Sequence, residues 1–402
     1  MKKVGLAVCY DTKNFGSQLQ VLVTTKKIEQ LGFSTEIIRY EKKLTPRFVI
    51  QSLPRLFNPY FISGKVRSRK KNRQIKEHPD IVRQVAIRNR RFDAFAQAYF
   101  TSLSIPYVGW SALTRQAAER YDIFLCGSDQ LWLPSNLGSH FYTLEFAPAD
   151  KPKIAYATSF GVSSVPWFQK KRTAHYLRRF QALSTRELAG KEIIEELIGR
   201  TVEVVCDPTL LFSSEEWAKL IPERSVVEGP YVLCYFLGTN EAHRKAAEAL
   251  RAQTGLKLVT CPHLDHFVAY DQTFGDLPLF DVDAADFVNL IRHAEYVLTD
   301  SFHGSVFSIL HHKRFLTFER FRPGANARNT RIDSLFALLG LEARRYAGDV
   351  SVVTASIDYE PVDDRLGTLR AASIDYLAAA LSQGREKPHT GLAHSVRGEK
   401  NA

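Results

Sequence analysis

Short apolar runs alternate with stretches of helical periodicity along most of the chain. Residues 3–9 form an apolar run, residues 17–31 an amphipathic stretch that ends at Gly32, and residues 34–40 a second apolar run. This alternation is typical of parallel sheets covered by helices. Further strands are predicted at 122–126, 153–157, 202–206, 231–237, 256–260, 296–299 and 315–318, and further helices at 167–180, 186–198, 241–254, 284–293, 302–311 and 364–381.

The strands fall into two series separated by residues 222–230, a stretch of Pro, Glu, Ser and Gly without periodicity. We therefore predict an α/β fold of two Rossmann-like domains facing a cleft, as in GT-B proteins. The domains are expected at 1–225, with a basic helical insert at about 50–100, and at 226–382, with a C-terminal helix. Residues 383–402 are polar and are expected to form a disordered tail. A length of 402 residues suits two domains.

Basic residues are concentrated in one segment. The chain has 54 Lys and Arg against 43 Asp and Glu, and residues 65–92 alone hold eleven basic and two acidic residues. Such a run is either a solvated helical face or a surface for a polyanion. The segment lacks an RNA-binding aromatic motif, a zinc finger and a recognition helix, which argues against nucleic acid. A lipid-linked saccharide at an anionic membrane face fits better.

The cysteines and the N-terminus indicate a cytoplasmic protein. The five cysteines are scattered and form no C-x-x-C pair, so neither a disulfide framework nor a zinc site is predicted. The N-terminal apolar stretch is too short for a signal peptide, and no apolar run approaches the ~20 residues of a membrane span. Motifs of P-loop NTPases, dinucleotide dehydrogenases, zinc proteases and serine hydrolases are absent from the sequence.

The strongest candidate for chemistry lies after the predicted strand at 296–299. In the segment 299–305, Asp300 or Ser301 can cap the following helix, whose amides would then suit a phosphate or carboxylate. His303 on the first turn would be placed for proton transfer. The alternative is a plain capping motif with a structural histidine.

Arginines follow two other predicted strands. Arg186 suits recognition of a carboxylate or phosphate, although pairing with Glu187 on a helix surface is the alternative. Arg328 and Arg331 lie in a polar stretch before a helix, where either could clamp an anion or belong to an ordinary surface loop.

Two further strand ends carry groups typical of sugar contacts. In 126–132, Gly127 permits close backbone approach, while Asp129, Gln130 and Trp132 offer polar and stacking groups. Residues 14–18 join the first strand to the first helix and would overlook the cleft, or form an ordinary turn and N-cap.

Six segments in this order give the sequence a family likeness. Residues 14–20, 127–132, 155–161, 184–187, 207–211 and 300–304 together make the chain resemble the polysaccharide pyruvyl transferase family from about residue 3 to about 340. The resemblance implies a GT-B-like fold and transfer of the enolpyruvyl unit of phosphoenolpyruvate onto two sugar hydroxyls. The products would be a cyclic ketal and phosphate, with phosphoenolpyruvate as co-substrate and no other cofactor or metal.

The resemblance also assigns roles to residues. It implies that His303 is the general acid, that Arg186 binds the donor, and that Arg331 stands where some members have lysine. Many members carry Arg-Leu-His where this chain has Ser301, Phe302 and His303, so one donor-binding guanidinium is either missing or supplied elsewhere. Together with the residue pattern, the candidate donor-binding residues are Arg186, Ser301, His303, Gly304, Ser305, Arg328 and Arg331. The candidate acceptor-binding residues are Asn14, Phe15, Gly16, Gln18, Ser128, Asp129, Gln130 and Trp132.

Two other functions remain open at this level: a nucleotide-sugar glycosyltransferase of the same fold, and a non-catalytic binder of saccharide or membrane. The favoured acceptor is a lipid-linked oligosaccharide of surface-polysaccharide assembly, such as capsule or exopolysaccharide. It would be handled in the cytoplasm at the inner membrane face, with peripheral contact through residues 65–92.

Overall fold

A computed structural model describes residues 1–43, 59–134, 140–321 and 330–383. Within these residues the strands are β1 (Lys3–Ala7), β2 (Ser34–Glu41), β3 (Ser104–Val108), β4 (Ile123–Cys126), β5 (Lys153–Thr158), β6 (Ala182–Thr185), β7 (Glu203–Val204), β8 (Tyr231–Tyr235), β9 (Lys257–Thr260), β10 (Leu277–Pro278), β11 (Tyr296–Thr299) and β12 (Arg314–Thr317). The α-helices are α1 (Phe15–Gln30), α2 (Pro59–Lys76), α3 (Pro79–Tyr99), α4 (Trp110–Arg120), α5 (Trp167–Leu177), α6 (Leu188–Ile198), α7 (Ser214–Leu220), α8 (Glu241–Thr254), α9 (Ala284–His293), α10 (Phe302–Leu310), α11 (Thr330–Leu339) and α12 (Glu360–Gln383).

The strands form two parallel sheets. The first has the order β3-β2-β1-β4-β5-β6-β7, and the second has the order β10-β9-β8-β11-β12. In the first sheet Val4 pairs with Thr35 on one side and Ile123 on the other, and in the second Tyr296 pairs with Val232 and Arg314. The strand order reverses between β1 and β4 and between β8 and β11. Ligands of such sheets bind beyond the carboxyl ends of the strands at these reversals.

The most regular helices follow directly from local sequence signals. The structure has α8 and α9 with the predicted bounds, because Asn240 and Asp283 cap their first turns through side-chain oxygens. Gly255 ends α8 with a φ of 70°, a left-handed conformation that glycine adopts without steric cost.

Other elements differ from the prediction. The predicted strand at 202–206 is reduced to the two residues of β7, the last strand of its sheet. Strand β3 and helix α4 were not predicted. Strand β3 is the opposite edge of the sheet, contains Pro106 and is only partly buried, so it lacks the continuous apolar run of a central strand.

The predicted basic insert contains two helices, α2 and α3, while residues 44–58 lie outside the described residues. Helix α12 extends over the predicted C-terminal helix and returns to the first half of the chain. There the Ser373 hydroxyl accepts a hydrogen bond from the Cys206 amide (2.9 Å), and Arg370 donates to the Leu210 carbonyl (2.6 Å). The division into domains at 225 stays a prediction, and the predicted tail lies outside the described residues from 384 onward.

One apolar core links the two halves of the chain. It joins buried residues of the first sheet, such as Leu6 and Ile123, with Leu233 and Val297 of the second. No helix in the described part of the chain is long and apolar enough to cross a bilayer. All five cysteines are free thiols.

Candidate active site

Residues from both sheets meet around the His303 side chain. His303 lies on the first turn of α10, directly after β11 of the second sheet. Its Nε2 atom is 3.7 Å from Oδ1 of Asp207, which follows β7 of the first sheet. Both side chains are buried. The candidate acid and its nearest carboxylate therefore come from different halves of the chain.

Helix α10 is placed by two polar contacts at its start. The Ser301 hydroxyl caps the helix by accepting a hydrogen bond from the Gly304 amide (3.3 Å). The Asp300 carboxylate instead accepts from the amides of Leu237 and Gly238 (2.6 and 2.8 Å), which ties the end of β11 to the loop after β8. Apart from the Gly304 amide, which the cap uses, the first-turn amides of α10 have no acceptor within the helix and are available to an anion.

Gly16 packs directly against the imidazole of His303. A Cβ atom at position 16 would overlap the His303 ring, so only glycine fits there. The neighbouring Asn14 caps α1 by accepting a hydrogen bond from the Ser17 amide (3.2 Å). The predicted loop 14–18 thus reaches the site through the backbone of Gly16, and the Asn14 side chain has a capping role.

Arg186 is buried and bound to carboxylates of the first half. Its Nη1 donates hydrogen bonds to Asp207 and to the Ser128 hydroxyl (3.2 Å), and its Nη2 lies 3.6 Å from Oδ1 of Asp129. Glu187 is turned away and accepts from the Ser159 hydroxyl and the Gly161 amide (2.7 and 2.9 Å). The alternative of a surface Arg186–Glu187 pair is therefore wrong.

Asp207, for which no role was predicted, is the central carboxylate of the site. Besides Arg186, Gln20 donates to it from Nε2 (2.5 Å), and the Thr209 amide donates to its Oδ1 (3.0 Å). Burial alone would raise the pKa of Asp207, but His303 and the Arg186 guanidinium hold it well below its usual range. Asp207 is therefore a carboxylate at neutral pH.

Arg331 adds a second buried guanidinium. It lies 5.5 Å from the centre of the Phe302 ring, and Arg186 lies 4.8 Å from the same ring. Burial and the charges of Arg186 and Arg320 lower the pKa of Arg331 to about 9, so it stays cationic at neutral pH. Among the residues that the structure describes, Nε of Arg186, Nε of Arg331 and Nε2 of His303 have no hydrogen-bond partner. Buried donors without partners are costly, and an anion with several acceptor oxygens would satisfy them.

Arg320 is a cation near the site that the sequence analysis missed. It follows β12, its Nε is buried without a hydrogen-bond partner in the described part of the chain, and its charge favours the ionised form of Asp300. The available signal was a basic residue just past a strand end, which is also common on surfaces. Arg328, a predicted anion clamp, lies outside the described residues.

Asp129 and Ser128 lie where an acceptor site was predicted. Asp129 has a φ of 91°, and its side chain is 23% exposed. Its carboxylate accepts from the Ser17 hydroxyl (2.9 Å) and the Gln130 amide (2.7 Å). Burial opposes ionisation, but Arg186 and Arg331 lower the pKa of Asp129 below its usual value. Gln130 packs against Gly161, where an added Cβ would overlap its amide.

Four predicted contact residues do not face the cleft. Trp132 is fully buried, and its Nε1 donates to the Tyr142 carbonyl (3.0 Å). Phe15 stacks between Phe92 and Phe287. Both rings are in apolar contact within the core, so the predicted stacking of Trp132 on a sugar and the predicted acceptor contact of Phe15 are wrong.

The other two use their polar groups internally. Gln18 donates from Nε2 to the Phe92 carbonyl (2.8 Å). The Ser305 hydroxyl hydrogen-bonds with the Thr317 hydroxyl (2.7 Å), and its amide donates to the Ser301 carbonyl. Gly304 packs on Thr299, because a Cβ atom at position 304 would lie 2.5 Å from Thr299 Oγ1. The Gly304 amide is used in the helix cap.

Comparison with solved structures shows the class of fold. A UDP-GlcNAc 2-epimerase from Methanocaldococcus jannaschii, solved with UDP-GlcNAc and UDP, matches with a TM-score of 0.50 and 11% identity over 95% of this chain and 100% of that chain. A UDP-GlcNAc 2-epimerase from Neisseria meningitidis matches with a TM-score of 0.44 and 12% identity over 94% of each chain. The glycosyltransferase SnogD from Streptomyces nogalater matches with a TM-score of 0.42 and 10% identity over 95% of this chain and 99% of that chain. The Methanocaldococcus jannaschii match and the two parallel sheets confirm the predicted α/β fold of GT-B type.

Sequence comparison then identifies the family. The model of the polysaccharide pyruvyl transferase family matches residues 14–320. The chain belongs to this family and is a transferase, as the resemblance implied. No curated protein sequence matches the chain significantly.

Proposed function

We propose that this protein transfers the enolpyruvyl unit of phosphoenolpyruvate onto two hydroxyls of a sugar in a polysaccharide precursor. The observation that carries the proposal is the group of buried donors without partners, on Arg186, Arg331 and His303, in a transferase of this family. Phosphoenolpyruvate is a compact ligand with a phosphate and a carboxylate. It offers enough acceptor oxygens for all three side chains.

Donor binding would use both halves of the chain. Arg186 and Arg331, which both lie close to the Phe302 ring, suit bidentate contacts to the phosphate and the carboxylate. The first-turn amides of α10 would contribute further donors. Because Ser301 is occupied in capping α10, Arg331 is our candidate for the guanidinium that many family members carry at position 301.

The reaction would begin at His303. A protonated imidazole delivers its proton to the methylene carbon of the donor, and the first sugar hydroxyl forms a bond to C2. The proton of that hydroxyl passes to Asp129, the partly exposed carboxylate beside Arg186. The bond from C2 to the phosphate oxygen then breaks, and the second hydroxyl closes the ring at C2. The proton of the second hydroxyl passes to solvent, which completes the ketal, and the released phosphate leaves the site.

We propose a lipid-linked oligosaccharide as the acceptor, with Asn14, Gly16, Ser128, Asp129 and Gln130 forming the near wall of its site. Membrane contact through residues 65–92 is part of this proposal and has a direct test. Vesicles containing anionic lipid would retain the wild-type protein at low salt, and a variant with Arg69, Arg73 and Lys76 changed to Ala would be released. Equal retention of both proteins would refute contact through this segment.

The proposed reaction is tested by phosphate release. Purified protein with phosphoenolpyruvate and membrane-extracted oligosaccharide lipids should release phosphate, and the product should gain the mass of a pyruvate ketal. His303→Ala and Arg186→Ala should lose this activity and remain folded. Full activity in both variants would contradict the site.

A nucleotide-sugar glycosyltransferase is the second candidate, because an epimerase of this fold was solved with UDP-GlcNAc and UDP. This candidate requires that UDP raise the melting temperature while phosphoenolpyruvate does not.

A further inference from the structure

The basic insert is bound to acidic residues of the second half of the chain. Nη1 of Arg88, on α3, donates to Oδ1 of Asp265 (2.7 Å). Nη2 of Arg91 donates to Asp283 (2.9 Å) and Asp286 (2.8 Å). The Arg88 side chain is only 11% exposed. The Arg91 side chain is 32% exposed, but its guanidinium, like that of Arg88, is paired with carboxylates of the same chain.

The partners fasten α3 at two separate places. Asp265 lies in the loop after β9, whereas Asp283 is the N-cap of α9 and Asp286 completes its capping box. A third contact lies at the start of α3, where His78 stacks on Phe267 with ring centres 4.0 Å apart. Helix α3 is thus held against the second half of the chain at its start and at two points in its middle.

The same helix also supports the start of α1. Phe92, next to Arg91, stacks on Phe15 with ring centres 5.0 Å apart, and Phe15 stacks on Phe287 of α9 at 4.8 Å. The Phe92 carbonyl accepts a hydrogen bond from Gln18 (2.8 Å). Phe15 is followed by Gly16, whose backbone packs against the His303 ring. A continuous set of contacts therefore joins Arg88 and Arg91 to the wall behind the candidate acid.

We propose that Arg88 and Arg91 are positioning residues that hold the start of α1 against His303. Their charge is used to assemble the site from two halves of the chain. Pairs with a buried partner resist screening and fix geometry better than exposed pairs do. The kinetic part of this inference rests on the proposed function, while its structural part does not.

The test compares two variants of the full chain. In the first, Arg88 and Arg91 are both changed to Ala. The control is Arg83→Ala, because Arg83 lies on the same helix, is exposed, and bonds to Asp80 one turn away. For the double variant we expect kcat for phosphate release to fall about ten- to hundredfold with KM nearly unchanged, since displacement of a reacting group acts on the chemical step. The control should match the wild type.

Amide hydrogen exchange gives a readout that does not depend on the reaction. The amides of residues 15–20 should exchange faster in the double variant and at the wild-type rate in the control. Exchange and kcat both unchanged in the double variant would overturn the inference. If the wild type turned over no phosphoenolpyruvate, the proposed function would fail, and the exchange rates alone would decide on the positioning role.

A charge swap separates positioning from general loss of stability. Arg88→Asp alone places two carboxylates together and should slow catalysis. Adding Asp265→Arg restores an ion pair of reversed polarity and should recover most of kcat and of the exchange protection. Recovery supports the inference, whereas a charge-swapped protein, with Arg88→Asp and Asp265→Arg, that is no more active than Arg88→Asp alone would contradict it. The swap also serves if the Ala variant fails to fold.

Discussion

The two halves of the chain contribute to the site in different ways. The second half supplies the consecutive residues Asp300 to His303, at the end of one strand and the start of one helix, together with Arg331 from α11. The first half supplies Gly16, Asp129, Arg186 and Asp207 from four separate segments, which only the strand order β1-β4-β5-β6-β7 brings together. The contiguous motif could be interpreted from strand-end and helix-cap patterns in the sequence. The contacts among the four dispersed residues could be known only from the fold.

Removing the candidate acid should have the largest effect. His303→Gln should lower kcat about 10²- to 10⁴-fold, the usual contribution of a general acid. The protein should remain folded with some loss of unfolding free energy, because His303 also favours the ionised form of the buried Asp207. Phosphate release and thermal unfolding would be measured on the same preparation. Activity within tenfold of the wild type would show that His303 is not the acid.

Asp207→Asn tests the dispersed half of the site. It removes the nearest counter-charge of the buried Arg186 and leaves only Asp129, at 3.6 Å, so we expect a loss of about 3 kcal/mol. The pKa of Asp207 is lowered in the folded state, so its stabilisation is present above the unfolded pKa near 4 and is lost as the pH falls toward the folded value. The gap in unfolding free energy between wild type and variant should be constant from about pH 7 to 5 and should shrink below that.

The control for this measurement is Asp80→Asn, an exposed carboxylate paired within α3. It should unfold like the wild type. A gap between wild type and Asp207→Asn that did not narrow in acid would show that the carboxylate charge of Asp207 does not stabilise the fold.

Gly16→Ala tests the contact where the two halves meet. The new Cβ would overlap the His303 ring, so the imidazole must move, and we expect kcat to fall about tenfold or more. Gly367→Ala on α12 is the matched control, because a Cβ there meets nothing within 4 Å. The control should keep full activity and gain up to about 1 kcal/mol from helix propensity. Equal activity of the two variants would refute the contact.

Arg331→Met should separate binding from folding. Arg331 is buried close to Arg186 and Arg320, so removal of its charge should stabilise the ligand-free protein by about 1 kcal/mol. The rise in melting temperature caused by phosphoenolpyruvate should be lost. A variant that is destabilised without ligand, yet still stabilised by phosphoenolpyruvate, would place Arg331 in the core and outside the donor site.

Trp132→Phe should have the smallest effect. It removes the hydrogen bond from Nε1 to the Tyr142 carbonyl, at a cost of about 1–2 kcal/mol. Because the indole is fully buried, KM for the acceptor should not change. An increase in KM without loss of stability would restore the sugar-stacking role that the structure argues against.

The sequence predicted the fold well wherever periodicity and caps agreed. Helices α8 and α9 have strong caps, and the order of central strands follows from their apolar runs. Edge strand β3 was missed because it is partly exposed and therefore has no continuous apolar run. The sequence also placed His303 and Arg186 at strand ends. It could not show that Arg186 pairs with Asp207 instead of Glu187, because that pairing depends on β6 and β7 lying side by side.

Burial explains the acceptor residues that were placed wrongly. Aromatic and amide side chains near a cleft are typical of sugar contacts, but the same residue types fill cores and cap helices. Phe15, Gln18 and Trp132 lie one to three residues from groups that do reach the site, Gly16 and Asp129 among them. Phe15 and Gln18 lie on the first turn of α1, where successive side chains point in different directions, and the sequence did not show which of them face the core.

Calorimetric titration with phosphoenolpyruvate is the most direct test of the central claim that both halves form one donor site. The wild type should bind phosphoenolpyruvate saturably, while Arg186→Ala from the first half and Arg331→Met from the second should each weaken binding at least about tenfold, the loss of one charge-assisted contact. UDP titrated under the same conditions should show no saturable binding. Saturable binding of UDP, with none of phosphoenolpyruvate, would contradict the account.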